Sequence, residues 1–280
     1  MKIAPHWVKE KREIAGLLFR LRGYSFRSRE EAQQRMEQKA QLHAALHCPE
    51  PSLGTEEYRR RLRELDEQAH AGEYDVVITE ELLEQVDARN AITRNRYGVD
   101  VLNSEDTCFL DVDSFAPGFW ERLRSVFGGG RSDEARLLET ARALCRADES
   151  LGIRLYRTAR GWRIIAVAEG LAPTSPRMQW LCEQLRVDGL YCRLCMRQAC
   201  WRARLTPKPW RLGMPGVYPQ PQASDEASAA AEAWLAEYRA KSAGVGVCRL
   251  VEVCGAPVKS PIVELHDELT GAKKMDLHLG

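Results

Sequence analysis

Thr107-Cys108-Phe109-Leu110-Asp111-Val112-Asp113 decides how the chain is read. The run is short and apolar, and it ends in two carboxylates. Alternation along a strand places Asp111 and Asp113 on one face and sends Cys108, Leu110 and Val112 to the other, into a core. Two carboxylates about 7 Å apart at a strand end suit a divalent cation, since oxygen ligands favour Mg²⁺ or Mn²⁺. Asp111 and Asp113 are therefore the candidate metal-holding and catalytic pair.

Downstream of this strand the order of elements gives a plan. Helical segments are predicted over Gly118–Phe127 and Ser132–Ala147, separated by Gly128-Gly129-Gly130. Strands Ile153–Arg157 and Trp162–Ala168 turn through Thr158-Ala159-Arg160-Gly161. Ser175 caps a helix whose first residue is Pro176, and a second short helix covers Gly189–Arg197. A strand at Cys200–Leu205 closes the series. The order is βαββαβ with one extra helix. That predicts an α+β fold with an RNA-recognition-like core, the split βαβ or ferredoxin-like antiparallel sheet.

In that plan the aspartate strand is central, between Trp162–Ala168 and Cys200–Leu205. Arg202 and Arg204 alternate with Trp201, Ala203 and Leu205, and Arg163 sits between Trp162 and Ile164. The expected open face holds both carboxylates amid three arginines, with Lys208 and Arg211 just beyond. Carboxylates for a metal and guanidiniums for phosphate equip a site for nucleotide chemistry. The same residues also describe a plain cross-strand ion-pair cluster.

The Leu-Asp-Val-Asp strand, the turn Thr158-x-x-Gly161-x-Arg163, and the arginine-rich strand running into Pro207 resemble the archaeo-eukaryotic primase and primase-polymerase superfamily. That resemblance covers roughly residues 90–211. It implies a metal-dependent nucleotidyltransferase acting on nucleotide or nucleic acid. Asp111 and Asp113 would be its metal ligands, and Thr158, Gly161, Arg163, Arg202, Arg204 and Lys208 would be its phosphate-binding residues. Arg163 stands where the superfamily has histidine, and no third acid follows in Cys200–Leu205. Those departures keep a catalytically silent nucleotide-, nucleic-acid- or protein-binding descendant as the alternative. Asn95-Arg96-Tyr97-Gly98, Ala203 through Arg211, and Glu264-Leu265-His266-Asp267 are similar to a family of uncharacterised bacterial proteins, which implies a bacterial source. The Leu-Asp-Val-Asp run is also similar to the nucleophile strand of haloacid-dehalogenase-type phosphatases, although Ser114-Phe115 replaces the small pair expected there.

On either side of the core the sequence predicts an N-terminal hairpin-plus-helices region (1–73), the core itself (74–211), and a proline-rich connector with a helix-strand-helix extension (212–280). His6–Val8 and Leu17–Leu21 form the hairpin, and Ser28 with Glu31 is a capping box for a helix to about Cys48. His43 and His47 lie one turn apart on its half-buried face. An arginine- and glutamate-rich helix follows at 55–71. Tyr74–Thr79 reads as a strand and Glu80–Val86 as a short helix. Ala91–Arg94 and Val99–Leu102 are strands around Tyr97-Gly98.

Composition bounds the rest. The 280 residues carry 41 Lys and Arg against 40 Asp and Glu, so any nucleic-acid surface is a local patch rather than a global field. Nine cysteines, an odd number, and no signal sequence predict a cytoplasmic chain with reduced thiols. No apolar run approaches ~18 residues, so no membrane partner is expected. Cys192-x-x-Cys195 falls in a predicted helix rather than a knuckle turn, so no zinc is expected there. Trp201 and Trp210 are candidates for base stacking. Nothing in the sequence fixes an oligomeric state.

Overall fold

The computed structural model describes residues 1–47, 55–70, 76–113, 133–219 and 225–280. The chain is α+β, with antiparallel sheets. It divides into two compact units. One comprises Lys2–Leu82 with Pro219–Trp234, and the other Met1, Leu83–Tyr218 and Leu235–Gly280.

The first unit is built on a hairpin of β1 (His6–Ile14) and β2 (Leu17–Ser25). Its two-residue turn, Ala15-Gly16, has positive φ at both positions, a twist that matches paired strands. Helix α1 (Arg29–His47) lies across the hairpin, with Val8, Leu21, Ala32, Met36 and Ala40 forming their own small core. Gly23 permits the close approach, because a Cβ there would stand 2.0 Å from the carbonyl oxygen of Ala32. The Ser28 hydroxyl accepts from the Glu31 amide at 3.2 Å, as a capping box requires. The Glu31 carboxylate, however, accepts from the Ser25 hydroxyl. The polar helix α2 (Thr55–His70) follows as expected.

The second unit holds the Asp-x-Asp strand. Strand β3 (Glu81–Gln85) stands where a helix was expected: Glu and Leu favour helices locally, but pairing overrides them. With β4 (Asn90–Arg94), β5 (Asp100–Ser104) and β9 (Trp201–Arg204) it makes one four-stranded sheet in the order β3-β4-β5-β9. The other sheet has the order β11-β7-β8-β6. It comprises β6 (Cys108–Asp113), β7 (Gly152–Thr158), β8 (Gly161–Val167) and β11 (Cys248–Gly255). Helix α3 (Asp133–Ala147) runs from β6 towards β7. The helix predicted at Gly118–Phe127 and the Ser132 cap lie outside the described residues.

Helix α4 (Pro176–Gln184) has the predicted Ser175 cap, whose hydroxyl accepts from the Met178 amide. Helix α5 (Gly189–Gln198) is capped by Asp188. A 3-10 turn at Pro209–Leu212 follows β9 at the boundary between the predicted core and the proline-rich connector. Helix α6 (Asp225–Ser242) and helix α7 (Pro261–Thr270) flank the short β10 (Val245–Gly246) and β11. The two-residue strand β12 (His278–Leu279) pairs with β10.

Two differences from the sequence-based plan bear on the site. First, β9 does not pair with β6; its ladder is with β5, from Val101↔Arg204 to Ser104↔Trp201. Two carbonyls on the free edge of β6 are taken by other donors. The Asp188 amide donates to the Asp111 carbonyl at 3.2 Å, and the Tyr191 hydroxyl donates to the Phe109 carbonyl at 2.6 Å. That hydroxyl also lies 2.9 Å from the Arg202 carbonyl, so one phenol bridges two strands that do not share a ladder. Second, the face of β6 carrying Asp111 is covered. Helix α7 buries Ile262, Val263, His266, Asp267 and Thr270, the spacing of one helical face. Phe109, on the same strand face as Asp111, has its ring centroid 5.5 Å from that of His266. Cys108, Leu110 and Val112 are buried on the opposite face, where the Cys108 sulfur meets that of Met178 at 3.6 Å.

Candidate functional site

Register assembles the site. In the β6–β8 ladder Asp111 is opposite Arg163 and Asp113 opposite Gly161. Arg163 Nε donates to Asp111 Oδ1 at 3.0 Å. Its Nη1 donates to the carbonyl of Arg204 at 2.7 Å, which ties the end of β9 to β8. The same Nη1 lies 3.3 Å from His266 Nε2. A guanidinium has no acceptor, so Nε2 of the imidazole must be the unprotonated nitrogen there. The proton then sits on Nδ1, which donates to Asp267 Oδ1 at 3.2 Å. Asp267 also accepts from the Tyr156 hydroxyl at 2.8 Å and from Arg154 at 2.7 Å. A continuous polar chain thus runs from Asp111 through Arg163, His266 and Asp267 to Arg154 and Tyr156.

Burial sets the charges. Burial pushes the Asp111 carboxyl up, but the Arg163 and Arg204 guanidiniums outweigh it and hold the group below its usual range. Desolvation pulls Arg163 down and the Asp111 charge more than restores it. His266 is driven down to about 4, first by burial and further by the Arg163 charge, so it is neutral at ordinary pH. Arg204 falls to about 10, because it is desolvated and faces the like charge of Arg163 with only partial relief from Asp111. Arg211 is lowered in the same way by burial and by Arg160.

Not every hydrogen-bonding group in this cluster is satisfied. Arg163 Nη2 and Arg204 Nη1 are buried with no hydrogen-bond partner among the described residues. Buried guanidinium N–H groups without acceptors are costly, which makes this spot receptive to an anion.

The predicted site residues separate accordingly. Asp111, Arg163 and Arg204 come together. Arg163 is 0% exposed, so it cannot reach an incoming ligand from the surface as expected; it stands behind Asp111 and Arg204 and holds both. The Asp111 side chain keeps 31% exposure and opens the cluster to solvent. Arg204 and Arg211 are half-buried beside it. Arg202 shares the strand face of Arg204, as alternation predicts, but its guanidinium turns to Gln198. The Lys208 ammonium lies over the Trp210 ring at 5.3 Å. Thr158 and Gly161 pair with each other at the end of the β7–β8 hairpin, and Gly161 also faces the backbone of Asp113. Trp201 is no stacking platform: it is 1% exposed and its indole donates to the Leu171 carbonyl. Trp210 is 49% exposed, with Tyr97 set edge-on to its ring.

A divalent cation was expected at Asp111 and Asp113. The Asp113 side chain lies outside what the structure describes. Among the described residues no group of three or more His, Cys, Asp or Glu stands together to hold a metal ion. The carboxylate that is described is already bonded to one guanidinium and lies in the field of a second. The described donor set fits an anion better than a resident cation.

His266, Asp267, Tyr156 and Arg154 were not foreseen as part of this site. Glu264-Leu265-His266-Asp267 was the one available signal, an ionisable pair inside an otherwise apolar helix face. No protein-family model, curated protein or solved structure matches the chain. No helix among the described residues is long and apolar enough to cross a membrane.

Proposed function

We propose that this chain binds the phosphate of a nucleotide or nucleic acid where Asp111, Arg163 and Arg204 converge. The observation that carries the reading is the buried Arg204 Nη1, a guanidinium nitrogen with no hydrogen-bond partner among the described residues. Arg204 is the contacting group, Arg211 adds charge at the opening, and Arg163 is a positioning residue fixed by Asp111 and by the Arg204 carbonyl. Trp210, exposed on the 3-10 turn next to Arg211, offers a ring face for a base. The run β6-β8-β7 keeps the order of a split βαβ core, and β9 lies near β6 without a ladder, as in a divergent RNA-recognition-like sheet. This supports kinship with primase-polymerase-like proteins in their binding role. It favours the catalytically silent alternative over metal-dependent nucleotidyl transfer, since Asp111 is committed to Arg163.

The test is a fluorescence-anisotropy titration with a labelled nucleoside triphosphate and a labelled single-stranded oligonucleotide, beside thermal melts. A charge-assisted guanidinium bond is worth about 1.5–3 kcal/mol. Arg204→Ala should therefore weaken binding roughly tenfold or more with stability nearly unchanged. Arg204→Lys should restore only part, because an ammonium keeps the charge and loses the fork. If the wild type binds neither ligand, or Arg204→Ala binds as the wild type does, the phosphate site is refuted and the cluster is structural.

A further inference from the structure

Two cysteines outside this site are set against each other. Cys182 in helix α4 (Pro176–Gln184) and Cys192 in helix α5 (Gly189–Gln198) have their sulfurs 3.0 Å apart. A disulfide bond is about 2 Å long, so a shift of roughly 1 Å would close it. Both residues are half-buried and open to a small oxidant, whereas Cys108, Cys195, Cys200 and Cys248 are buried. Cys192 lies in the first turn of helix α5, where amide N–H groups favour a thiolate. We propose that Cys182 and Cys192 are a peroxide-sensitive dithiol, the first pair in the chain to form a disulfide.

The two sulfurs have distinct roles. The contact with Cys182 lowers the Cys192 pKa against the opposing effects of burial and of the Asp188 carboxylate, and the same contact raises Cys182. Cys192, in the first turn of helix α5, is the attacking thiolate, and Cys182, in the second half of helix α4, is the resolving thiol. The Cys192 sulfur attacks one oxygen of hydrogen peroxide; the S–O bond forms, the O–O bond breaks, and the departing hydroxide takes a proton to leave as water. Cys182 then attacks the Cys192 sulfur, the S–S bond forms, the S–O bond breaks, and the Cys182 proton leaves with the second water. The pair loses two electrons and the peroxide is reduced to two waters. The product clamps helix α4 to the helix whose Asp188 cap and Tyr191 hydroxyl hold the backbone of the Asp111 strand. This inference does not depend on which ligand the arginine cluster binds.

The sequence makes the test direct. Trypsin cuts after Arg177, Arg186 and Arg193, which leaves Cys182 in the peptide 178–186 and Cys192 in 187–193, one cysteine each. Reduced full-length protein is treated with one equivalent of hydrogen peroxide, quenched with N-ethylmaleimide, digested and analysed by mass spectrometry. The expected main product is the two peptides joined by a disulfide, with the other cysteines alkylated. Cys145 and Cys254, whose sulfurs are 3.5 Å apart, serve as the internal competitor. If both target peptides carry maleimide, or if Cys145 and Cys254 link first, the proposal is overturned. In Cys182→Ser a dimedone adduct should accumulate on Cys192; its absence in folded variant protein would overturn the assigned roles.

Discussion

His266 offers the sharpest test of the polar chain beneath the Asp-x-Asp strand. It is fully buried, accepts from Arg163 and donates to Asp267, so protonation in the folded protein would set an imidazolium against a guanidinium. Its pKa accordingly falls from an ordinary 6.5 to about 4, with burial the larger cause. The sign follows from proton binding: below pH 6.5 the unfolded chain takes up a proton on this residue and the folded chain does not. Stability contributed by neutral His266 is complete above pH 6.5 and is lost as pH falls towards 4, after which both states are protonated. Over pH 7 to 5 the linkage amounts to about 2 kcal/mol, with a limiting slope near 1.4 kcal/mol per pH unit. The depressed Asp111 and Asp267 carboxyls act lower, below their ordinary value of 3.8, and do not contaminate this window. Urea unfolding followed by tryptophan fluorescence at pH 7, 6 and 5 reads the effect, provided the m-value stays constant. In His266→Gln the residue-specific part should vanish, leaving a flatter profile. Should the variant and the wild type lose the same stability from pH 7 to 5, His266 does not stay neutral in the fold, and the tautomer argument fails with it.

Two further outcomes follow from the same network. Arg163→Met removes the donor to Asp111, to the Arg204 carbonyl and to His266 together, so urea unfolding should show a loss of roughly 3–5 kcal/mol; a loss under about 1 kcal/mol would mean the buried pair is replaceable. Calorimetric titration of Mn²⁺ into protein without nucleotide should give no saturable heat, because the described carboxylate is held by guanidiniums; a saturable heat abolished by Asp111→Asn would contradict that account.

Much of this was legible before the structure, and the boundary has a physical cause. The hairpin at Ile14–Leu17, the Ser28 and Ser175 caps, and the β7–β8 turn are local devices whose residues act within four positions of one another. The Asp111–Arg163 juxtaposition was legible too, because the split βαβ order sets β6 beside β8 and alternation along both strands then puts these side chains on one face. What failed was long-range competition. Nothing near Cys200–Leu205 says that β5 will outbid β6 as its partner; that is decided by Tyr191 and the Asp188 amide, which satisfy the free edge of β6 from a helix. Glu81–Gln85 reads as helix by propensity and becomes a strand by pairing. The covering of the aspartate face depends on Pro261–Thr270, about 150 residues later, whose apolar stripe does not announce what it will face.

That covering changes what the arginines can do. On an open sheet face, three guanidiniums around two carboxylates would be screened by water, and each pair would count for little. Beneath helix α7 the balance is different. Arg163 has lost its water entirely, is compensated by one carboxylate, and meets a neutral imidazole where a second anion would have completed the shell. Arg204, pinned through its own carbonyl, has a buried nitrogen with no acceptor among the described residues. A fold gains nothing by burying such groups for stability alone, since an apolar pair of similar volume is often at least as favourable. A phosphate at Arg204 would supply its missing acceptor and the second negative charge together, which is why binding is the function proposed for this geometry.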